Sequence, residues 1–307
     1  MLLLTLALLA GSADTAVVRN VDVAPGETLR TTTLGTGHPL VLIPGIFGAA
    51  FGYRAIIRPL VARGYQVIVV EPLGYGWSSS PKHADYSFTA QTARVGQALD
   101  SLGVSHALVV AQSSGASIGF RLAIARPDLV RGLLSINGGP AESAATPGMR
   151  KAFKFGGFLT KMAVDPMKLR HDVRREIIRN SGDTTWVTDA VIRGYTAGQT
   201  VDMPASIDAF HQMSKSKEKE SLADRLSECA VPVRLLLGGV PHPAGVTPDQ
   251  QELLSAKLPN FQTHSVPGSG QYIHEEQPDA VVAAVARLEE AALTGARAPS
   301  VPRTSSP

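Results

Sequence analysis

From residue 17 to 33 apolar and polar side chains alternate on either side of Pro25-Gly26, which predicts an opening hairpin. Downstream the pattern changes. Short, mainly apolar runs at 39–43, 65–70, 107–111, 132–136 and 231–237 read as buried strands, and 261–266 as a further strand. Between them 56–63, 88–102, 115–125, 247–258 and 280–293 have helical period, and Gly64 and Gly103 stop the first two. A strand with no polar face belongs in a sheet covered on both sides, so the chain is expected to be α/β with a parallel sheet. The rhythm lapses between 139 and 228, a stretch helical in composition and rich at first in Lys and Arg. This predicts a helical cap inserted into one core, whose parts are 17–138 and 229–294. Within the cap, the run KSKEKE at 215–220 is expected to be a solvated helix face.

Composition narrows the function classes. With 307 residues, 44% hydrophobic and 18% charged, the chain can bury one large core. A net charge of +3 without clustered basic residues gives no nucleic-acid signature. The single cysteine, Cys229, excludes an internal disulfide and a thiolate metal cage, and is expected to be a small buried side chain. No histidine pair has helical metal-ligand spacing, and neither a metal nor a cofactor is expected. Residues 1–10 are nearly all Leu and Ala, too short for a membrane span, with small residues after them. Despite the missing basic flank, residues 1–16 are expected to be an export signal; a cytoplasmic protein with a buried N-terminal segment is the alternative. Residues 295–307 have no apolar period and are expected to be disordered.

Candidate chemistry starts at Val109-Val110-Ala111-Gln112-Ser113-Ser114-Gly115-Ala116, where a strand runs straight into a helix. Small residues on both sides of Ser113 suit a strained turn that lifts its Oγ to the helix N-terminus. A literal Gly-x-Ser-x-Gly lies at 115–119, but Ser117 would then sit inside the helix. The plain alternative for Ser113 is a polar helix cap.

Three further segments accompany it: Leu40-Val41-Leu42-Ile43-Pro44-Gly45-Ile46, Glu71-Pro72-Leu73-Gly74-Tyr75-Gly76-Trp77-Ser78, and Gly270-Gln271-Tyr272-Ile273-His274-Glu275-Glu276-Gln277-Pro278. Gly74-Tyr75-Gly76 lacks the third glycine and the helix of a dinucleotide loop. Together these segments and the elbow resemble the α/β-hydrolase superfamily, over about 17–293, with the cap matching only in length and helicity. The resemblance implies eight mostly parallel strands with helices on both faces. It also implies a nucleophile at Ser113 and an oxyanion hole from the backbone N–H groups of Ile46 and Ser114.

The family's order is Ser, acid, His, and here the pattern departs. The acid position, in Gly239-Val240-Pro241-His242-Pro243, holds His242, and the base position holds Gln271. An amide is too weak a base to take a serine proton near neutral pH. His274 is expected to be exposed at a helix start, and Asn137 and Glu142 to be structural. Ser113, His242 and Gln271 are therefore the candidate catalytic set. Three functions stay open: a hydrolase of an ester, lactone or related carbonyl with a weakened triad, a non-hydrolytic lyase, cyclase or isomerase, or a non-catalytic ligand-binding protein. The expected ligand is a small, partly apolar molecule. Phe153, Phe155, Phe158, Met162 and Met167 are expected to be cap core more than pocket lining.

Overall fold

Alternating apolar faces build the sheet. The structure, a computed structural model, describes residues 15–46, 48–143 and 165–297. Most of the expected export signal, Phe153, Phe155, Phe158 and Met162, and nearly all of the expected disordered tail lie outside the described residues. The strands are β1 (Val17–Ala24), β2 (Glu27–Leu34), β3 (His38–Ile43), β4 (Tyr65–Val70), β5 (Ala107–Gln112), β6 (Val130–Ile136), β7 (Val233–Gly238) and β8 (Phe261–Val266). They form one eight-stranded sheet in the order β1-β2-β4-β3-β5-β6-β7-β8. The pairs β1–β2 and β2–β4 are antiparallel and the others parallel.

Helices α1 (Arg54–Val61), α2 (Phe88–Ser101) and α3 (Gly115–Ala125) join the early strands. Past β7 come α8 (Pro248–Lys257), α9 (Ile273–Glu276) and α10 (Pro278–Arg297). Every residue of β5 is buried, and its side chains divide between two layers. Val109 and Ala111 join Val95 and Leu99 of α2 and Ile118 and Leu122 of α3. Leu108 and Val110 join Ile56 and Leu60 of α1 and Val285 and Leu288 of α10. Fully burying each such aliphatic side chain contributes on the order of 2 kcal/mol.

Between β6 and β7 the described chain is helical: α4 (Pro166–Asn180), α5 (Asp189–Thr196), α6 (Met203–Lys215) and α7 (Leu222–Arg225). The solvated helix face expected at 215–220 is not there. Helix α6 ends at Lys215, and the Glu218 side chain, 3% exposed, turns inward. Its carboxylate accepts from the backbone N–H groups of Phe88 and Thr89. Free N–H groups at the start of α2 attract a carboxylate more strongly than water does, while Lys215, Lys217, Lys219 and Glu220 of the run stay exposed.

The six parallel strands place their C-terminal ends along one edge of the sheet. The loops after β3, β5, β6, β7 and β8 gather there, and sequence-distant residues meet.

Candidate active site

The elbow is built from backbone outward. Ser113 has φ +52°, although it carries a Cβ, a conformation that costs about 1–3 kcal/mol. It lies between the end of β5 and the start of α3, its N–H donating to the Ile136 carbonyl at 2.9 Å. A Cβ on Gly115 would come within 2.6 Å of the Pro44 carbonyl oxygen, so glycine lets the neighbouring loop dock. The N-cap of α3 is Ser114 and no side chain bonds it, so Ser113 is not a helix cap. Ser117 is buried inside α3, with Oγ donating to the Gly139 carbonyl and accepting from Ala141 N–H. The literal motif is thus structural.

The loop after β3 lies against the elbow. Gly45 N–H donates to Gln112 Oε1 at 3.2 Å, and a Cβ on Gly45 would approach Ser113 Cβ to 3.0 Å. The structure brings Ile46 and Ser114 together, with one unanticipated feature. The Ile46 N–H donates to the Ser114 hydroxyl at 2.8 Å, and Tyr75 Oη lies 3.5 Å from that hydroxyl. Behind the loop, buried Glu71 accepts from Ala50 N–H at 2.8 Å and Trp77 N–H at 2.6 Å. Burial pushes its carboxyl above the ordinary range, while those donors pull it down.

His242 and Gln271, 29 positions apart, are in contact: His242 Nε2 lies 3.0 Å from Gln271 Oε1. The other ring nitrogen, Nδ1, is 2.7 Å from the Val240 carbonyl and must donate its proton there. With Oε1 facing Nε2, both ring nitrogens donate and the ring is an imidazolium. A neutral ring needs the amide turned over, with its NH2 toward Nε2. Gln271 is 3% exposed, and in the first arrangement its Nε2 has no partner among the described residues. In either state the amide couples the proton on His242 to which end of Gln271 is left unpaired. Among the described residues no hydrogen bond joins Ser113 Oγ to either side chain.

Residues not singled out in the sequence hold this pair in place. The Glu276 carboxylate accepts from the N–H groups of Gly270, Tyr272, Gly182 and Asp183. The Asn180 carbonyl accepts from Gln271 N–H at 2.7 Å, and its side-chain oxygen accepts from Ala244 N–H at 3.2 Å. Asn137, at φ +47°, donates to the Gly270 carbonyl at 2.8 Å and accepts from Gly238 N–H at 2.9 Å, clamping the two late loops together. Glu142 pairs with Arg121 and accepts from Leu222 N–H. Neither Asn137 nor Glu142 stands in for the acid; both are structural, as expected.

The exposed position expected for His274 is overturned. It is 3% exposed, packed 5.3 Å from the Tyr53 ring and 6.2 Å from the Tyr272 ring, with burial pushing it down to about 3. The polar run His274-Glu275-Glu276 resembles a surface helix start. Yet Ile273 anchors the turn in the core, while Glu275 is neutralised by Arg54 and a 2.8 Å bond from Tyr195. Cys229 is buried, with its thiol pushed up to about 11, so it is not an activated nucleophile. Among the described residues no cluster of His, Cys, Asp or Glu could hold a metal ion, and no helix is long and apolar enough to cross a membrane.

A serine on a strained elbow, a docked loop, and two touching side chains on late loops make up the candidate site. A family model described as alpha/beta hydrolase fold matches residues 38–165. The chain is 26% identical over 259 residues to the sn-1-specific diacylglycerol lipase ABHD11 of Mus musculus, covering 80% of this chain and 79% of the lipase. It is 27% identical over 261 residues to haloalkane dehalogenase 2 of Mycobacterium tuberculosis, covering 82% of this chain and 87% of the dehalogenase. Among solved structures, epoxide hydrolase CorEH aligns with a TM-score of 0.74 at 19% identity, over 90% of this chain and 99% of that one. These names span different bonds broken, so they carry the fold and not a substrate. The chain has the α/β-hydrolase fold, and the curated proteins it resembles are named as hydrolases.

Proposed function

We propose that the protein slowly hydrolyses an ester, lactone or related carbonyl compound by attack of Ser113 Oγ on the carbonyl carbon. The observation that carries this reading is the Ser113 backbone at φ +52°. A strained conformation that does nothing for packing is retained most readily where it presents a side chain for use. In the attack, the carbonyl π pair moves to oxygen, and the Ile46 and Ser114 N–H groups receive the negative charge. The serine proton has no strong acceptor beside it, because Gln271 is an amide. It leaves to water; collapse of the adduct expels the alcohol portion as an alkoxide that takes a proton from water, and a second water hydrolyses the acyl-enzyme. A hole and binding site alone sustain rate factors of about 10³–10⁴ over water, so turnover is expected to be slow. Residues 139–228 would cap the site and supply an apolar roof for a small, partly apolar substrate.

A second reading rests on Gln271 itself. An amide at the base position, locked to His242 at 3.0 Å, suits a pocket that binds a ligand, or a lyase, cyclase or isomerase, without an acyl-enzyme. Turnover of a short-chain aryl ester by wild type and Ser113→Ala tests the first reading. The variant loses the acyl-enzyme route and should turn over measurably more slowly than wild type, without falling below the residual rate that the hole and binding sustain. Equal turnover by the two proteins would mean that Ser113 is not the nucleophile.

A further inference from the structure

An oxyanion hole works because its N–H groups are unpaired until charge develops in front of them. Here one of the two is paired: Ile46 N–H points at Ser114 Oγ, 2.8 Å away. The oxygen belongs to the residue directly after the proposed nucleophile, so no loop movement is needed to put it there. Tyr75, 1% exposed, places its own hydroxyl 3.5 Å from the same atom. Burial keeps that phenol protonated, pushed up to about 12. The tethering is tight on the other side too, where the loop is pinned through Gly45 N–H to Gln112 and Gly48 N–H to the Gly45 carbonyl at 2.8 Å.

Resting on the Ser113 reading, we propose that the Ser114 hydroxyl is an internal occupant of the oxyanion hole, which an incoming substrate oxygen must displace. The displaced hydroxyl turns about χ1, whose other staggered wells are available to serine. Tyr75 Oη is near enough to serve as its new partner. The occupant makes the site selective by charge. A neutral carbonyl oxygen gains little by replacing one hydroxyl oxygen with another on the same N–H. An oxygen that carries the full charge of a tetrahedral adduct gains more, because charge-assisted hydrogen bonds are roughly twice as strong as neutral ones. Substrates with strongly electrophilic carbonyls, such as activated esters and strained lactones, are therefore the class this hole admits.

The test uses the full chain with Ser114→Ala, which removes the occupant, and Ser114→Thr, which keeps an Oγ. In Ser114→Ala, hydrogen exchange at the Ile46 amide should quicken. Labelling of Ser113 by a fluorophosphonate should rise by roughly threefold to tenfold, the scale of one net hydrogen bond. For a neutral ester the gain should fall mainly on KM. Ser114→Thr, which keeps an Oγ on the Ile46 N–H, should keep the slow Ile46 amide exchange, which a loss of packing would not give. Unchanged Ile46 exchange, or slower labelling, overturns the proposal, the latter because the hydroxyl would be helping the oxyanion. Binding of phenylphosphonate in a Ser113→Ala background separates this idea from the nucleophile reading. Tighter binding by Ser113→Ala/Ser114→Ala than by Ser113→Ala supports an occupied hole even if Ser113 never labels. Equal binding by the two overturns the occupant whatever the labelling shows.

Discussion

Among the described residues, three other than glycine have positive φ: His106, Ser113 and Asn137. Asn137 tolerates it readily, because its short amide bonds backbone groups on both late loops. Ser113 has no such local compensation, so its strain points to the use of its hydroxyl. His274 illustrates the opposite kind of residue, a titratable group buried for packing. Its folded-state value is about 3, far below the ordinary 6.5 of an unfolded histidine. The unfolded chain binds the proton first, so the stability from a neutral His274 is complete above about pH 6.5 and drains away as pH falls toward 3, at roughly 1.4 kcal/mol per pH unit. Denaturation midpoints followed across this range should fall more steeply for wild type than for His274→Phe. Parallel profiles would mean that the ring is hydrated or already charged in the folded protein. From sequence, a histidine followed by two glutamates gave no sign of this. The burial comes from the aromatic rings of Tyr53 and Tyr272 and from Arg54 neutralising Glu275.

Elements were read well where packing on both faces leaves a continuous apolar run. Strand β4 and helix α3 have the bounds that their patterns predict, as does β8 although only Val266 in it is buried, and α2 and β5 differ by one residue at one end. Loops and charged runs were read poorly, because their conformation follows from backbone N–H groups elsewhere in the chain. Glu218 caps α2 across 130 positions. Glu276 similarly ties the loop carrying Gln271 to the segment after α4. With one carboxylate accepting from four N–H groups, removing it leaves donors that only water or loop rearrangement can satisfy. In Glu276→Ala, amide exchange at Gly182, Asp183, Gly270 and Tyr272 is expected to quicken by about tenfold or more, with β5 and β6 unchanged. Unaltered exchange at Gly270 and Tyr272 would show that the loop is held by Asn180 and Asn137 alone.

Across the molecule, the sheet order converts distance in sequence into contact. Strands β5, β7 and β8 deliver Ser113, His242 and Gln271 to one edge, and the last two touch. The resemblance of scattered motifs made the candidate positions legible, and the fold accounts for the contact between His242 and Gln271. The clamps by Asn180, Asn137 and Glu276 could not be read, since each joins loops whose proximity exists only in the folded chain. The central claim is that this scaffold keeps a triad's register while carrying the wrong side chains. Its most direct test is the fluorophosphonate labelling rate of Ser113 in folded Gln271→His/His242→Asp. An imidazole at 271 would face the serine with a carboxylate behind it to fix its tautomer and stabilise its charge. The account predicts labelling faster than wild type by about 10²–10⁴-fold, with little gain from His242→Asp alone. A folded double variant that labels no faster than wild type would contradict it, because the two late loops would then not face Ser113.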